Sequence, residues 1–287
     1  MNCNRSNATI EELILQQGHR GMDVLRPLLP EDYCRRGAEE LNALPKGRVL
    51  LTTGFYVNGA AESDGPAGTA CLAFALEKLS FSVTILAGEY CRGFFEPLGL
   101  EALYFGPDNP PALSLLDRLS PAALISIETC GHTADGDYEN MRGRSIRAHT
   151  AALDSLFPVA RERGIYTLGV GDGGNEIGMG NVQDAVRGQL GLEPSVVKTD
   201  RLVIAAVSNW GAYGLAAALG ALNGRDLLPR EQWVDEYLSL LAGMGCVDGV
   251  TGIAQPTVDG FPAGTERQVF AEIRAWELSE IARKSGS

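Results

Sequence analysis

Residues 164–180 read GIYTLGVGDGGNEIGMG: a short β-branched and apolar run, then Gly171, Gly173, Gly174, Gly178 and Gly180 around Asp172, Asn175 and Glu176. A buried strand that runs straight into a glycine-rich turn and a helix-length segment is one βα unit of a parallel sheet. Working outward, the pattern recurs. GRVLLTT (47–53), FSVTILA (81–87), EALYF (101–105), AALISIE (122–128) and DRLVIAAV (200–207) read as further buried strands. Segments of helical length, 65–79, 110–119, 145–163, 175–188 and 210–222, lie between or beside them. The alternation predicts an α/β fold, a mostly parallel open sheet with helices on both faces. Residues 1–45 and 226–287 carry mainly helical patterns, including an amphipathic repeat over 266–284, and flank an α/β core over 46–225. No repeat or Pro/Gly/Ser linker divides residues 1–287, so a single domain is expected.

Composition narrows the function classes. With 45% hydrophobic and 21% charged residues the chain is ordinary globular protein. A formal charge of −12 disfavours nucleic acid, whose phosphates it would repel. No run reaches the roughly 18 apolar residues of a membrane span. The start, MNCNRSNATIEELILQQ, is polar and acidic where a signal peptide is basic and then apolar. The six cysteines, Cys3, Cys34, Cys71, Cys91, Cys130 and Cys246, include no C-x-x-C pair. They read as reduced thiols of a cytoplasmic protein. Whether the chain forms a homo-oligomer is left open.

Four loops that leave the carboxyl ends of strands are dense in Gly, Asp, Asn and Glu. In an open parallel sheet those ends share one edge, and ligands bind in the crevice outside it. The loops are therefore expected to converge on one site for a small molecule. Gly169, Gly171 and Gly174 satisfy G-x-G-x-x-G, and Glu193 stands about twenty residues on, as a dinucleotide fingerprint would have it. Asp172 and Glu176, however, occupy the positions of the pyrophosphate oxygens. Like charges about 4 Å apart repel by ~4 kcal/mol at an effective dielectric near 20. The reading is therefore no nucleotide cofactor. Asp172, Asn175 and Glu176 instead suit a hard divalent cation, Mg²⁺ or Mn²⁺, or in part a substrate ammonium. The plainer alternative is a glycine-rich turn with Asn175 or Asp172 capping a helix.

In the first loop, Asp64 or Ser63 can cap the helix that Gly65 and Pro66 open, leaving Glu62 free and N–H groups facing the crevice for a carboxylate. The long loop from Glu128 to Gly143 holds His132, Asp135, Asp137, Asn140 and Arg142, and a connection of this kind is usually functional. Asp135-Gly136-Asp137 starts like an EF-hand but lacks its closing Glu. His132 reads as a hydrogen-bonded histidine rather than a general base. Arg142 is the bidentate donor that a carboxylate substrate calls for. Asn209 and Trp210 offer an amide and an apolar wall, or Asn209 caps its own helix. Asp248 reads as a turn residue.

ESDGPAG (62–68), ADGDYENMRG (134–143), GVGDGGNEIGMG (169–180), SNWGAYGLA (208–216) and VDGVTG (247–252), taken together, resemble the D-glutamate cyclase family. The resemblance is to the C-terminal domain of the mitochondrial enzyme and its stand-alone bacterial relatives, and it spans roughly Leu25 to Glu280. Two departures stand out: Ser63 replaces a threonine of the first motif, and TGFYVNGAAES lacks the family's prolines. The resemblance implies a hydro-lyase converting D-glutamate, or a related acidic metabolite, to 5-oxo-D-proline with loss of water. The mitochondrial enzyme has a further N-terminal domain for which this chain has no room, and cyclisation may be expected to depend on it. Some relatives look like metal-dependent phosphatases, so a hydrolase of small phosphorylated metabolites stays open, as does a non-catalytic sensor.

Lactam formation needs a curled substrate, a neutral amine and an electrophilic γ-carboxyl. The expected roles follow. Asp172 and Glu176, with Asn175 or Asp135, hold the cation. Arg142 takes the α-carboxylate, helped by the helix start at Asp64 and Gly65. Asn140, Gly173, Gly174, Asn209 and Trp210 line the substrate. Glu62 or Glu128 moves the protons.

Overall fold

The computed structural model describes residues 8–18 and 20–285. Ahead of the sheet lie α1 (Ile10–Ile14), α2 (Met22–Leu25) and α3 (Tyr33–Ala43). The strands are β1 (Arg48–Thr53), β2 (Tyr56–Val57), β3 (Ala60–Ala61), β4 (Ser82–Gly88), β5 (Ala102–Phe105), β6 (Ala123–Ile127), β7 (Tyr166–Gly171) and β8 (Arg201–Ile204). Among them run α4 (Pro66–Lys78), α5 (Ser114–Leu119), α6 (Leu156–Glu162) and α7 (Gln183–Ala185). After β8 come α8 (Ser208–Asn223), α9 (Gln232–Gly243) and α10 (Thr265–Ser285).

Six strands form one sheet in the order β5-β4-β1-β6-β7-β8, and every pairing is parallel. The strand order reverses between β1 and β6. That is the point at which open α/β sheets place their ligands.

Successive side chains of a strand face opposite sides, and the core divides accordingly. Val49, Leu51, Ile85, Ile125 and Ile127 pack with α3, α4, α8 and α10. Leu50, Leu86 and Leu124 face the other way, onto Leu115 and Leu116 of α5 and Leu156, Phe157 and Ala160 of α6. The central strands expected from sequence are thus buried on both faces, and the edge strand β5 is half-buried. The five described cysteines are free and buried, and Cys3 lies outside the described residues. Among the described residues no helix is long and apolar enough to cross a membrane.

Two expected helices are largely something else. Of 145–163, only Leu156–Glu162 is α-helical, preceded by short 3₁₀ turns at Arg147–His149 and Leu153–Ser155. Pro158 fits only near a helix start, which sets α6 late. Of 175–188, the first half is bonded sideways. Ile177 N–H donates to Thr129 O (2.9 Å) and Gly178 N–H to Val197 O (2.9 Å). Gly178 at φ 104° turns the chain there. Both departures lie beside the site.

The prolines missing after β1 are replaced by a hairpin. β2 and β3 pair antiparallel around Asn58-Gly59, with φ 48° and 96°. Two left-handed residues in a two-residue loop make the Asn-Gly hairpin turn.

Candidate functional site

Six buried carboxylates meet at the carboxyl edge of the sheet. Glu62 follows the β2–β3 hairpin, Asp64 precedes α4, Glu128 follows β6, Asp172 and Glu176 follow β7, and Asp259 lies between α9 and α10. None is more than 7% exposed. Glu128 (φ 48°) and Asp259 (φ 54°) are left-handed, which costs a non-glycine residue about 1–3 kcal/mol and marks sites held by their surroundings.

One guanidinium stands among them. Arg20 Nη1 donates to both oxygens of Asp172 at 2.9 Å, and Nη2 donates to Asp259 Oδ1 at 2.5 Å. Burial disfavours its charge, but Asp172 and Asp259 outweigh that and hold Arg20 firmly protonated. Asp248 keeps Asp259 in place. Its carboxylate accepts from the N–H groups of Val250, Thr251 and Gly260 and from Thr257 Oγ, folding residues 248–260 into a closed loop.

Burial, with neighbouring Asp172 and Arg20 pulling in opposite directions, pushes Asp259 up to about 8. Burial also takes Asp172 up to about 6, restrained by Arg20. The two carboxyls are neighbours bridged by the Arg20 fork, and the charge of Asp172 raises the affinity of Asp259 for a proton. Burial first, then Asp259, raises Glu62 well above the carboxylate range; burial, then Asp172, does the same to Glu128.

Two helix starts face this cluster, and each is capped by the other's side chain. Asp64, before α4, accepts from Ser208 N–H (2.9 Å) and Asn209 N–H (2.7 Å) at the start of α8. Asn209 Oδ1 accepts from Gly65 N–H (3.0 Å) and Gly68 N–H (2.7 Å) at the start of α4. Gly68 permits the approach, since a Cβ there would sit 2.8 Å from Asn209 Cα. Both positive helix ends therefore lie against the carboxylates. Ser208 Oγ–H donates to Glu128 Oε2 at 2.6 Å.

The glycine-rich turn is filled by its own side chain. Gly173 and Gly174 N–H each donate at 2.8 Å to one oxygen of Glu176. Those amides, which a phosphate would use, hold a carboxylate instead. Glu193 is an exposed partner of Arg187 at 2.8 Å.

Two sets of three carboxylates have oxygens within 4.8 Å of one another, Glu128–Asp172–Glu176 and Asp64–Asp172–Asp259. All donors are oxygen, the chemistry of a hard cation such as Mg²⁺ or Mn²⁺. Asp259 Oδ2 and Asn175 Oδ1 are buried acceptors that no described donor reaches.

A narrow cleft lies between the ends of β1, β4 and β6, with Tyr56, Tyr90 and His149 at its rim and Ala61, Cys91 and Cys130 deeper. His149 stacks on Tyr56 (4.1 Å between centroids), and Tyr90 Oη lies 3.0 Å from His149 Nδ1.

The sequence carries the same motifs beyond the site. Residues 10–274 match the profile of the family described as D-glutamate cyclase-like, C-terminal. The chain belongs to this D-glutamate cyclase-like family. The mitochondrial D-glutamate cyclase of Homo sapiens is a relative, 32% identical over 264 residues, which covers 75% of this chain and 43% of that protein. The chain thus spans less than half the length of that relative.

Within this D-glutamate cyclase-like chain, Glu62, Asp64, Glu128, Asp172 and Glu176 come together. Others of the expected residues stand elsewhere. Asp135 is exposed and accepts from Thr133 Oγ; it belongs to neither carboxylate set. Arg142 is exposed on the loop beside the cluster, and the guanidinium among the carboxylates is Arg20. Asn140 shapes that loop by accepting from Arg142 and Arg144 N–H. Asn175 donates to Glu139 O at 2.8 Å and reaches toward the outer side of the turn, in a recess that Asn140 and Gly173 also line. Trp210 is no wall of the cleft: it is fully buried and donates to Glu266 Oε2 at 2.6 Å. Gly65 N–H is already taken by Asp64 and Asn209, so it is not free for a substrate carboxylate. His132 is hydrogen-bonded, its Nδ1 2.6 Å from Asp154, whose other oxygen accepts from Tyr138 Oη.

Arg20, Asp259 and Glu266 escaped the sequence reading. Each sits in a flanking segment with no strand to announce it. The signals present were Arg20 against Gly21 and Asp259 against Gly260, charges beside glycines that the fold holds left-handed.

Proposed function

We propose that this chain is a lyase of the D-glutamate cyclase type, closing D-glutamate to 5-oxo-D-proline with loss of water. The observation that carries the reading is the set of buried carboxyls crowded at one sheet edge, where burial and mutual repulsion favour uptake of protons, in a chain of this family. In the reaction the substrate amine attacks the γ-carboxyl carbon, the ammonium gives up two protons, and the departing oxygen takes up two to leave as water. A pair of carboxyls in different protonation states supplies both directions of transfer.

Ser208 Oγ–H favours the ionised form of Glu128, so we assign Glu128 as the base at the amine and Glu62 as the acid at the departing oxygen. Glu128, Asp172 and Glu176 would hold a divalent cation. Bound there, Mg²⁺ or Mn²⁺ supplies charge neutralisation at the γ-carboxyl oxygens. The need is electrostatic: an acidic substrate meets six carboxylates offset by one guanidinium. Tyr56, Tyr90 and His149 at the rim of the cleft are assigned to the α-carboxylate, with Arg142 on the neighbouring loop.

Incubating the purified chain with D-glutamate and Mn²⁺, and resolving products by chiral chromatography, tests the reading. Formation of 5-oxo-D-proline supports it. Hydrolysis of a phosphomonoester with no lactam formed would replace it by the hydrolase reading, and ligand-induced stabilisation without product by the sensor reading.

A further inference from the structure

Arg20 occupies a position that, in many oxygen-ligand sites, belongs to a metal. The two carboxylate sets share Asp172, and a carboxylate common to two such sets is how two cations about 3.5–4 Å apart are held. Here one of the sets is already answered from within the chain. The fork of Arg20 spans Asp172, through both its oxygens, and Asp259. A guanidinium cannot lose its proton in a protein, and its planar geometry fixes it on both partners. Among the described ion pairs none involves Glu128 or Glu176. Their oxygens have lone pairs left over after the Ser208 hydroxyl and the Gly173 and Gly174 amides.

We infer that Arg20 stands in for a second metal ion, so that the site binds one divalent cation, on Glu128, Asp172 and Glu176, and never two. The inference rests on the cation of the proposed function. Asp259 Oδ2, buried without a described donor, is the oxygen that a second ion would take once the guanidinium is gone.

Mn²⁺ titration of the full chain, followed by calorimetry and by electron paramagnetic resonance, counts the ions without any need for turnover. One ion per chain is expected. Arg20→Gln should accept a second, giving the multiline spectrum of an exchange-coupled Mn²⁺ pair. Two ions in the unaltered chain, or one in Arg20→Gln, would overturn the inference while leaving the proposed reaction standing. No ion in the unaltered chain would overturn it together with the cation of the proposed function; lactam formation in the same sample would then show that the reaction survives. Should Arg20→Gln not fold, two further variants decide. Glu176→Gln should weaken Mn²⁺ by more than ~100-fold, beyond what outer contacts cost, whereas Asp259→Asn should keep one tight ion. The reverse pattern would place the ion on the other set and refute the assignment.

Discussion

Glu277 and Asp172 are both carboxyl groups shut away from water, and they sit in opposite kinds of surroundings. Glu277 is alone between α8 and α10, its Oε1 accepting from Leu227 N–H at 2.9 Å, and burial pushes it up to about 7. Glu11 is similar: its Oε1 takes the Cys34 and Arg35 N–H groups at the start of α3, a cap supplied from another helix. In the helical layer, Glu277 and Glu11 each satisfy backbone amides that would otherwise be stranded, and Glu266 accepts from the Trp210 and Tyr213 side chains. At the sheet edge buried carboxylates come as six, packed against one another. Folding alone gives no reason for that second arrangement, because each added charge destabilises the others. The contrast separates carboxylates that cap stranded amides from those that crowd one another at the sheet edge.

Four substitutions would break or sharpen this contrast. The largest effect is expected at the sheet edge. Asp172→Asn should lower D-glutamate turnover at least ~100-fold, about 2.7 kcal/mol, in a variant that still folds with Arg20 held by Asp259. Turnover near that of the unaltered chain would return Asp172 to a structural role. Gly220→Ala comes next. A Cβ there would lie 1.9 Å from Glu277 Oε1 and 2.8 Å from Arg225 O, so urea unfolding should show a loss of about 2–3 kcal/mol.

Glu277→Gln acts through pH: a carboxyl raised from about 4.5 to about 7 is worth at most about 3 kcal/mol across that window. The folded carboxyl, raised to about 7, keeps its proton after the unfolded one has lost it near 4.5. Its contribution is therefore fully present below about pH 4.5 and is lost as pH rises through about 7. The variant removes that loss, so unfolding midpoints should match at pH 4.5 and favour the variant at pH 8; a gap equal at both would refute the shift. Smallest is Glu11→Ala, about 1 kcal/mol for the lost cap, visible as fraying of α3 in amide exchange.

The central strands were legible because each is a short apolar run buried on both faces, and such runs announce themselves whatever surrounds them. GRVLLTT and FSVTILA need only their own residues to be read. Asp64 and Asn209 show where legibility stops. Each was readable as a cap, but of its own helix. The exchange of caps depends on α4 and α8 lying side by side, which neither segment encodes alone. The Val57-Asn58-Gly59-Ala60 hairpin was local and readable, and Asn-Gly was its signal. Arg20 was not: an arginine between two chain segments carries no pattern until tertiary structure supplies Asp172 and Asp259.

The carboxylate cluster draws on residues 20, 62, 128, 172 and 259, points scattered from one end of the polypeptide to the other. During synthesis, then, Asp172 emerges long before Asp259 and the loop that positions it. A nascent polypeptide halted short of residue 259 would leave Arg20 anchored on Asp172 alone. The Arg20 fork closes only once the chain has reached Asp259.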